Sequence, residues 1–113
     1  MILKLLIFAV AIFFFSLSYA FPFPGKVVKI ADGDTITVLT PDYKQVKIRL
    51  YGIDAPEKKQ PYGNASKRAL SDLVAGKEVE VEDCGIDRYR RVVGIIHHDG
   101  VNINEAMVEV GLA

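Results

Sequence analysis

Five side chains in the sequence have the types and positions that chemistry on a phosphate group requires. They are two aspartates, a glutamate and two arginines at predicted turns, loops and strand ends: Asp34, Arg49, Asp54, Glu57 and Arg91. Hydrolysis of a phosphodiester needs neutralised charge, an activated water molecule and a geometry that holds the two in line. Carboxylates suit a hard cation, and the fixed fork of arginine suits a phosphate. Each residue alone also has a structural explanation, so the hypothesis depends on the set.

The first elements that must position these residues form a predicted hairpin. Segment 26–30 is rich in valine and isoleucine, and it ends at Asp32, Gly33 and Asp34. These three residues are a strong turn signal before the apolar segment 35–39. We therefore expect Asp34 to lie at the turn between two antiparallel strands.

A third predicted strand carries the first arginine. Apolar and polar residues alternate along segment 45–51, with the apolar positions at Val46, Ile48 and Leu50. This period of two predicts a strand whose apolar side faces the core and whose Arg49 faces away. The chain then leaves the strand, because Pro56 disfavours helical geometry at the preceding residue. The result is a predicted loop that carries Asp54 and Glu57.

The remaining elements are predicted to be one longer helix, two strands and a short final helix. An apolar stripe at helical spacing lies between Asn64, a candidate N-cap, and Gly76, a candidate stop; its members are Ala65, Ala69, Leu70, Leu73 and Val74. Strands are predicted at 77–82 and 91–96. Asn104 is expected to cap the last helix, with Glu105 in its first turn and Val108 and Leu112 supplying apolar contacts. This order predicts an α+β fold that is mainly β, a small five-stranded OB-fold-like barrel with packed helices.

The N-terminal segment 1–20 has the composition of a secretory signal peptide. Lys4 is its only charged side chain, an apolar run follows, and Ser18 and Ala20 occupy the small-residue positions that signal peptidase reads. We expect cleavage after Ala20 and a secreted or periplasmic domain at residues 21–113. An uncleaved anchor is the alternative, and only in that case is contact with a membrane expected.

Charge and cysteine content exclude two further classes of protein. Lysine and arginine number 14, as do aspartate and glutamate, so the chain is not a strongly basic protein that coats DNA. Cys84 is the only cysteine, which excludes an intrachain disulfide. We expect Cys84 to be a small, partly buried side chain. His97 and His98 are not expected to bind a metal jointly, because adjacent strand residues point to opposite faces.

Three blocks of the sequence closely resemble the thermonuclease, or staphylococcal-nuclease-like, family. They are DGDT at 32–35, IRLYGIDAPE at 48–57 and DRYRR at 87–91. A weaker fourth block is VNINEA at 101–106, with GLA at 111–113. The blocks follow the family's order through nearly all of the expected mature chain.

The resemblance implies a calcium-dependent nuclease that acts on DNA and RNA and leaves 3′-phosphates. Asp34, Asp54 and the backbone carbonyl of Ala55 would then be ligands of one Ca²⁺. Glu57 would orient or deprotonate the attacking water, while Arg49 and Arg91 would bind the phosphate. By the same resemblance, Arg88 and Tyr89 would hold a terminal phosphate of the substrate. A monomer without an obligate protein partner is expected.

The sequence also departs from the family pattern, and other functions stay open. Arg90 stands where the family usually has glycine, the loop after Glu57 is short, and family members continue beyond the position of Ala113. We expect a differently held turn before Arg91 and a domain that is compact or C-terminally truncated. The alternatives are a non-catalytic nucleic-acid-binding module on the same barrel and an envelope-anchored interaction protein. The presence of all the charged positions named above favours the enzyme.

Overall fold

The computed structural model describes residues 22–113, so the predicted signal peptide and its cleavage point lie outside the described residues. The order of elements is β1 (Phe23–Asp32), β2 (Thr35–Leu39), β3 (Gln45–Leu50), α1 (Gly63–Val74), β4 (Glu78–Ile86), β5 (Val92–His98), β6 (Val101–Asn102) and α2 (Ile103–Glu109). Within this part of the chain, neither helix has the length and apolar character needed to span a bilayer.

Five of these strands close into a barrel, which confirms the predicted α+β fold. Strands β3, β2, β1, β4 and β5 pair as antiparallel neighbours in that order. A parallel pairing of β3 with β5 then closes the ring, and the short β6 pairs with β5 outside it. In the parallel pair, Arg49 lies opposite Val93. The closure therefore places the strand that carries Arg49 beside the strand that begins directly after Arg91.

The core fills the barrel and the space between the barrel and its helices. Strands contribute Val27, Ile36, Val38, Ile48, Leu50, Val79, Val81 and Ile96, and helices contribute Leu70, Val74, Ile103 and Met107. Ile48 and Leu50 are almost fully buried. Since adjacent strand residues point to opposite faces, the burial of both neighbours directs Arg49 outward, as the alternation predicted.

Helix α1 is correctly predicted in outline and wrong in detail. The cap position is Tyr62, with φ 64° and no capping hydrogen bond from its side chain, so the prediction of Asn64 as N-cap is wrong. Gly76 has φ 71° just beyond the helix, which agrees with its predicted role as a stop. Ala65 is exposed, whereas Ser66 is fully buried and donates a hydrogen bond to the Leu112 carbonyl at 2.8 Å. The C-terminal residues therefore pack on this helix through a polar contact that an apolar stripe does not predict.

The N-cap of helix α2 was also predicted at the wrong residue. Its N-cap is Asn102, whose side chain accepts a hydrogen bond from the Glu105 amide at 3.1 Å, and not Asn104, which is buried. Glu105 lies in the first turn as predicted. Leu112 packs against the core, but Val108 is 51% exposed. The prediction of a partly buried Cys84 is also wrong, because this side chain is exposed.

Candidate functional site

Asp34 is the residue that ties the first turn to the loop after β3. Its side chain is only 10% exposed. The Oδ2 atom accepts a hydrogen bond from the Ala55 amide at 3.0 Å, and the Asp34 carbonyl accepts one from the Leu50 amide at 2.7 Å. The structure thus places Asp34 next to the backbone amide of Ala55, the residue whose carbonyl is a predicted metal ligand, although the two residues are far apart in sequence.

Gly33 allows this turn to lie directly against helix α1. A Cβ atom at Gly33 would come within 1.8 Å of the Ser66 Oγ atom and 3.0 Å of the Ala55 Cβ atom. Such an approach is open to glycine alone. The glycine of the DGDT block therefore serves packing. It allows the turn that carries Asp34 to lie against helix α1.

Arg49 is held between two carboxylates at the end of the barrel. Its Nη1 atom donates hydrogen bonds to the carbonyls of Leu50 at 3.1 Å and Ile53 at 2.9 Å. The same atom lies 3.4 Å from Asp34 Oδ2, while Nη2 lies 3.5 Å from Asp54 Oδ1. The Asp54 side chain is 95% exposed, so one carboxylate is enclosed by protein and the other faces solvent. The planar guanidinium satisfies these partners at set angles, which a lysine could not do.

The oxygen atoms around Arg49 are of the kind that binds calcium. Calcium binds several oxygen ligands and accepts water for the remainder. Asp34 and Asp54 offer carboxylate oxygens on either side of one cationic group, and the loop brings Ala55 to Asp34. Among residues 22–113, no three His, Cys, Asp or Glu side chains form a closed cluster for a metal ion. Two carboxylates and one carbonyl would leave the remaining positions around a calcium ion to water.

Arg91 is positioned by Asp87, a residue that the sequence reasoning did not single out. The Asp87 Oδ2 atom accepts a hydrogen bond from Arg91 Nε at 2.8 Å. Its Oδ1 atom accepts bonds from the backbone amides of Tyr89 at 2.8 Å and Arg91 at 3.0 Å. Burial raises the pKa of Asp87, but the hydrogen bonds from Arg91 and Tyr89 outweigh it and hold the pKa below its ordinary value. An acidic residue four positions before an arginine in a turn was the available signal.

Arg90 completes this turn in a conformation that arginine rarely adopts. Its φ is 62°, in the left-handed region that favours glycine. The sequence predicted that this turn would differ from the turn of family members that have glycine here. The backbone of Arg90 takes a conformation that glycine would also allow, so the difference lies in the added side chain and in the strain of that conformation. The turn delivers Arg91 to the start of β5.

Four of the predicted residues line one open pocket of about 510 Å³. They are Arg49, Arg88, Tyr89 and Arg91. The guanidinium carbons of Arg88 and Arg91 each lie 5.4 Å from the centre of the Tyr89 ring. Tyr89 is 66% exposed, so much of its side chain is open to solvent although two cations lie near the ring. This pocket can bind an anionic group and an adjacent flat ring.

Glu57 lies on a well-fixed loop outside the lining of this pocket. Its backbone amide donates to Gln60 Oε1 at 2.7 Å, and its carbonyl accepts from the Gln60 amide at 2.8 Å. The first residue of α1, Gly63, packs so closely that a Cβ atom there would come within 2.0 Å of the Glu57 oxygen. Within the described residues, the Glu57 carboxylate makes no hydrogen bond or ion pair. The structure therefore fixes where the loop lies and leaves this carboxylate in solvent.

The fold and the site together define a small OB-type barrel whose rim carries an anion-binding pocket bordered by carboxylates. Residues 47–113 match the family model described as staphylococcal nuclease homologue. The match covers more than half of the chain, and the chain therefore belongs to the staphylococcal nuclease family.

Several relatives carry names that refer to nuclease activity. The chain is 50% identical over 88 residues to an uncharacterized endonuclease of Haemophilus influenzae, covering 78% of this chain and 49% of that protein. It is 50% identical over 90 residues to an uncharacterized endonuclease of Escherichia coli, covering 79% and 58% respectively. A micrococcal nuclease of Shigella flexneri is 40% identical over 100 residues, covering 80% of this chain and 57% of that protein. The chain thus spans about half the length of these relatives.

Proposed function

We propose that this domain is the catalytic part of a calcium-dependent nuclease that hydrolyses phosphodiester bonds of DNA and RNA. The observation that carries the proposal is the shared pocket of Arg49 and Arg91, each with its own carboxylate partner. Two preorganised guanidinium groups suit a phosphate whose charge increases in the transition state. The nuclease names of the relatives agree with this reading.

In the proposed mechanism, Arg49 and Arg91 bind the non-bridging oxygens of the scissile phosphate. Glu57 accepts a proton from the attacking water, whose oxygen forms a new bond to phosphorus. The bond between phosphorus and the 5′-oxygen breaks, and this oxygen takes a proton from solvent. The products carry a 3′-phosphate and a 5′-hydroxyl. Asp34, Asp54 and the Ala55 carbonyl would hold a calcium ion, which when bound supplies positive charge beside the phosphate.

Arg88 and Tyr89 serve binding more than chemistry in this proposal. Both line the pocket beside Arg91, and the exposed ring of Tyr89 offers a face to a base. Contacts to phosphates and base faces do not read the 2′-hydroxyl that distinguishes RNA from DNA, so both nucleic acids would be accepted. We expect the enzyme to act as a monomer.

Export of the protein is a separate part of the proposal, supported by the composition of residues 1–20. N-terminal sequencing of the exported product tests it. A product that begins at Phe21 supports secretion after cleavage. A product that retains Met1 and sediments with membranes supports the uncleaved anchor instead.

The proposed activity is tested by conservative changes at the two pocket arginines. Arg49→Lys and Arg91→Lys should each lower kcat/KM on single-stranded DNA by about 100-fold, because a lysine cannot replace the guanidinium fork. Arg68→Lys, at an exposed position on α1, is the matched control. Analysis of the products should find 3′-phosphates. Equal losses in the control, or 5′-phosphate products, would contradict the mechanism.

A folded parent protein that binds DNA with calcium and does not cut it would overturn the enzymatic proposal. That outcome would support the alternative, a non-catalytic nucleic-acid-binding module on the same barrel. Circular dichroism of each protein establishes whether it is folded.

A further inference from the structure

The outer face of β3 carries a lysine beside the proposed phosphate site. Ile48 is buried between Lys47 and Arg49, so these two residues point to the same outer face of the strand. Two residues along a strand span about 6.6 Å, which is the step from Arg49 to Lys47. In the parallel pairing that closes the barrel, Ile48 pairs with Val92, and Lys47 and Arg91 directly precede these two residues. The backbone of Lys47 therefore lies next to the residues that carry both pocket arginines.

A second lysine extends this basic surface onto β1. Lys47 lies opposite Thr37 on β2, and Thr37 lies opposite Lys29 on β1. Residues opposite each other in antiparallel strands point to the same face, and neighbouring strands are about 4.8 Å apart. Both lysines are exposed, and Thr37 between them is only 7% exposed. The three residues, here called the lysine row, continue the phosphate site across the outer sheet.

Acidic side chains are concentrated on a different wall of the barrel. Strand β4 turns Val79 and Val81 inward and presents three exposed glutamates on its outer face: Glu78, Glu80 and Glu82. This wall repels a polyanion, whereas the lysine row attracts one. The balanced charge of the whole chain therefore does not mean that charge is evenly distributed over the barrel.

The carboxylates nearest to the lysine row lie at its borders. Lys26 lies one row away on β1, and Glu78 of β4 lies opposite it. Lys29 lies beyond the part of β1 that pairs with β4. At the other border, Asp32 ends β1 beside the turn to β2. Within residues 22–113, neither Lys29 nor Lys47 forms a salt bridge or pairs with an acidic residue. Their charges are therefore available to an anionic ligand.

We propose that the lysine row binds the phosphodiester backbone of the substrate strand beside the phosphate held by Arg49 and Arg91. The proposal rests on the proposed function, since it extends the path of the same strand. Backbone phosphates recur along a strand whatever its bases, and lysine ammonium groups bind them as flexible point charges. The step from Arg49 to Lys47 is comparable with the distance between successive phosphates of an extended strand. The lysine row therefore adds affinity for longer strands without adding base specificity.

The dependence of binding on salt tests this proposal. The measurements use the full chain with Glu57→Gln and added calcium, so that cleavage is suppressed, and labelled single strands of about twelve nucleotides. Each lost phosphate contact should lower the slope of log Kd against log salt by about 0.7. Lys29→Gln and Lys47→Gln together should therefore lower the slope by about 1.4 and weaken binding at low salt about fivefold.

Lys26→Gln is the matched control, because this exposed lysine lies on the same face of β1 with Glu78 opposite it. It removes the same charge and should change the slope by less than about 0.3. Strand length gives a second readout. The loss of affinity in the double variant should be smaller for a dinucleotide, which is too short to reach from Arg49 to Lys29. Circular dichroism establishes that each variant is folded.

An unchanged slope in the double variant would overturn the inference. An equal change in Lys26→Gln would also overturn it, because the effect would then belong to net charge. A loss that is the same for the dinucleotide and the longer strand would assign the effect to a disturbed pocket instead of a flanking contact. Failure of the proposed function gives a different result: a parent chain with Glu57 intact that shows the lysine-dependent slope and does not cut the strand would contradict the nuclease and leave the lysine row standing.

Discussion

Single residues of this domain are already held in place by protein contacts around the candidate site. Arg49 is fixed by two backbone carbonyls and Arg91 by the carboxylate of Asp87. Such preorganisation matters because groups that need not reorganise during the reaction stabilise a transition state most effectively. The contrast is Glu57, whose backbone is fixed and whose carboxylate is in solvent. In the proposed mechanism, the arginines therefore define the position of the phosphate.

The Asp87 contact gives a prediction that depends on pH. The folded pKa of Asp87 lies below its ordinary value of 3.8, so its stabilising contribution is complete above that value and is lost as pH falls through the folded pKa. Asp87→Asn should therefore lower the urea midpoint most near neutral pH, and the difference from the parent should shrink towards about pH 3. Urea unfolding across this range is the measurement.

Asp72→Asn, at an exposed position on α1, is the control for loss of an aspartate charge. It should leave the midpoint nearly unchanged near neutral pH. A deficit for Asp87→Asn that stayed constant down to about pH 3 would show that the ionised carboxylate is not what stabilises the turn.

At the scale of elements, the turn between β4 and β5 carries strain at Arg90. A side chain with Cβ in the left-handed region costs about 1 kcal/mol relative to glycine. Arg90→Gly should therefore raise the free energy of unfolding by about 1 kcal/mol, as measured by chemical denaturation. Arg90→Ala removes the charge and keeps the Cβ, so it should not give this gain. Equal stabilities of the two variants would assign any effect to charge instead of backbone conformation.

Helix α2 is joined to the barrel by a buried asparagine. Asn104 accepts a hydrogen bond from the Ile96 amide at 3.1 Å and donates to the carbonyls of Tyr51 at 2.9 Å and Gly94 at 3.1 Å. These partners belong to β5 and to the end of β3, the two strands whose parallel pairing closes the ring. Asn104 therefore stabilises the parallel pairing of β3 with β5, which brings Arg49 near Arg91.

The two asparagines of α2 provide a matched comparison of stability. Asn104→Ala removes three hydrogen bonds, two of them buried, and should lower the free energy of unfolding by about 2–3 kcal/mol. Asn102→Ala removes only the helix cap and should cost about 1 kcal/mol. Chemical denaturation of both variants measures the difference. A larger loss at Asn102 would mean that the cap, and not the closure, dominates the stability of this region.

The same asparagines mark the limit of what local sequence could predict. Alternation along β3 and the turn signal before β2 predicted both elements, because each pattern is local. The cap was assigned to Asn104 instead of Asn102, since both lie at the start of the helix and only contacts with distant strands distinguish them. The burial of Ser66 and the partnership of Asp87 with Arg91 likewise depend on where other segments lie. The charged site residues could be named from the resemblance, but their partners could not.

At the scale of the whole molecule, closure of the barrel is what assembles the pocket. Arg49 comes from β3 and Arg91 from the turn before β5, and these strands meet only through the parallel pairing. The balanced charge of the chain gives no general attraction for a polyanion. Binding must therefore depend on this local arrangement of arginines.

We propose that this arrangement performs calcium-dependent hydrolysis with Glu57 as the base. The most direct test is cleavage of single-stranded DNA by the folded chain with calcium or with a chelator, for the parent, Glu57→Gln and the control Glu80→Gln. Glu80 is an exposed glutamate of β4. We expect cleavage only with calcium, a loss of about 100-fold or more in Glu57→Gln, and little change in Glu80→Gln. Cleavage that persists in the chelator, or that survives unchanged in a folded Glu57→Gln protein, would contradict it.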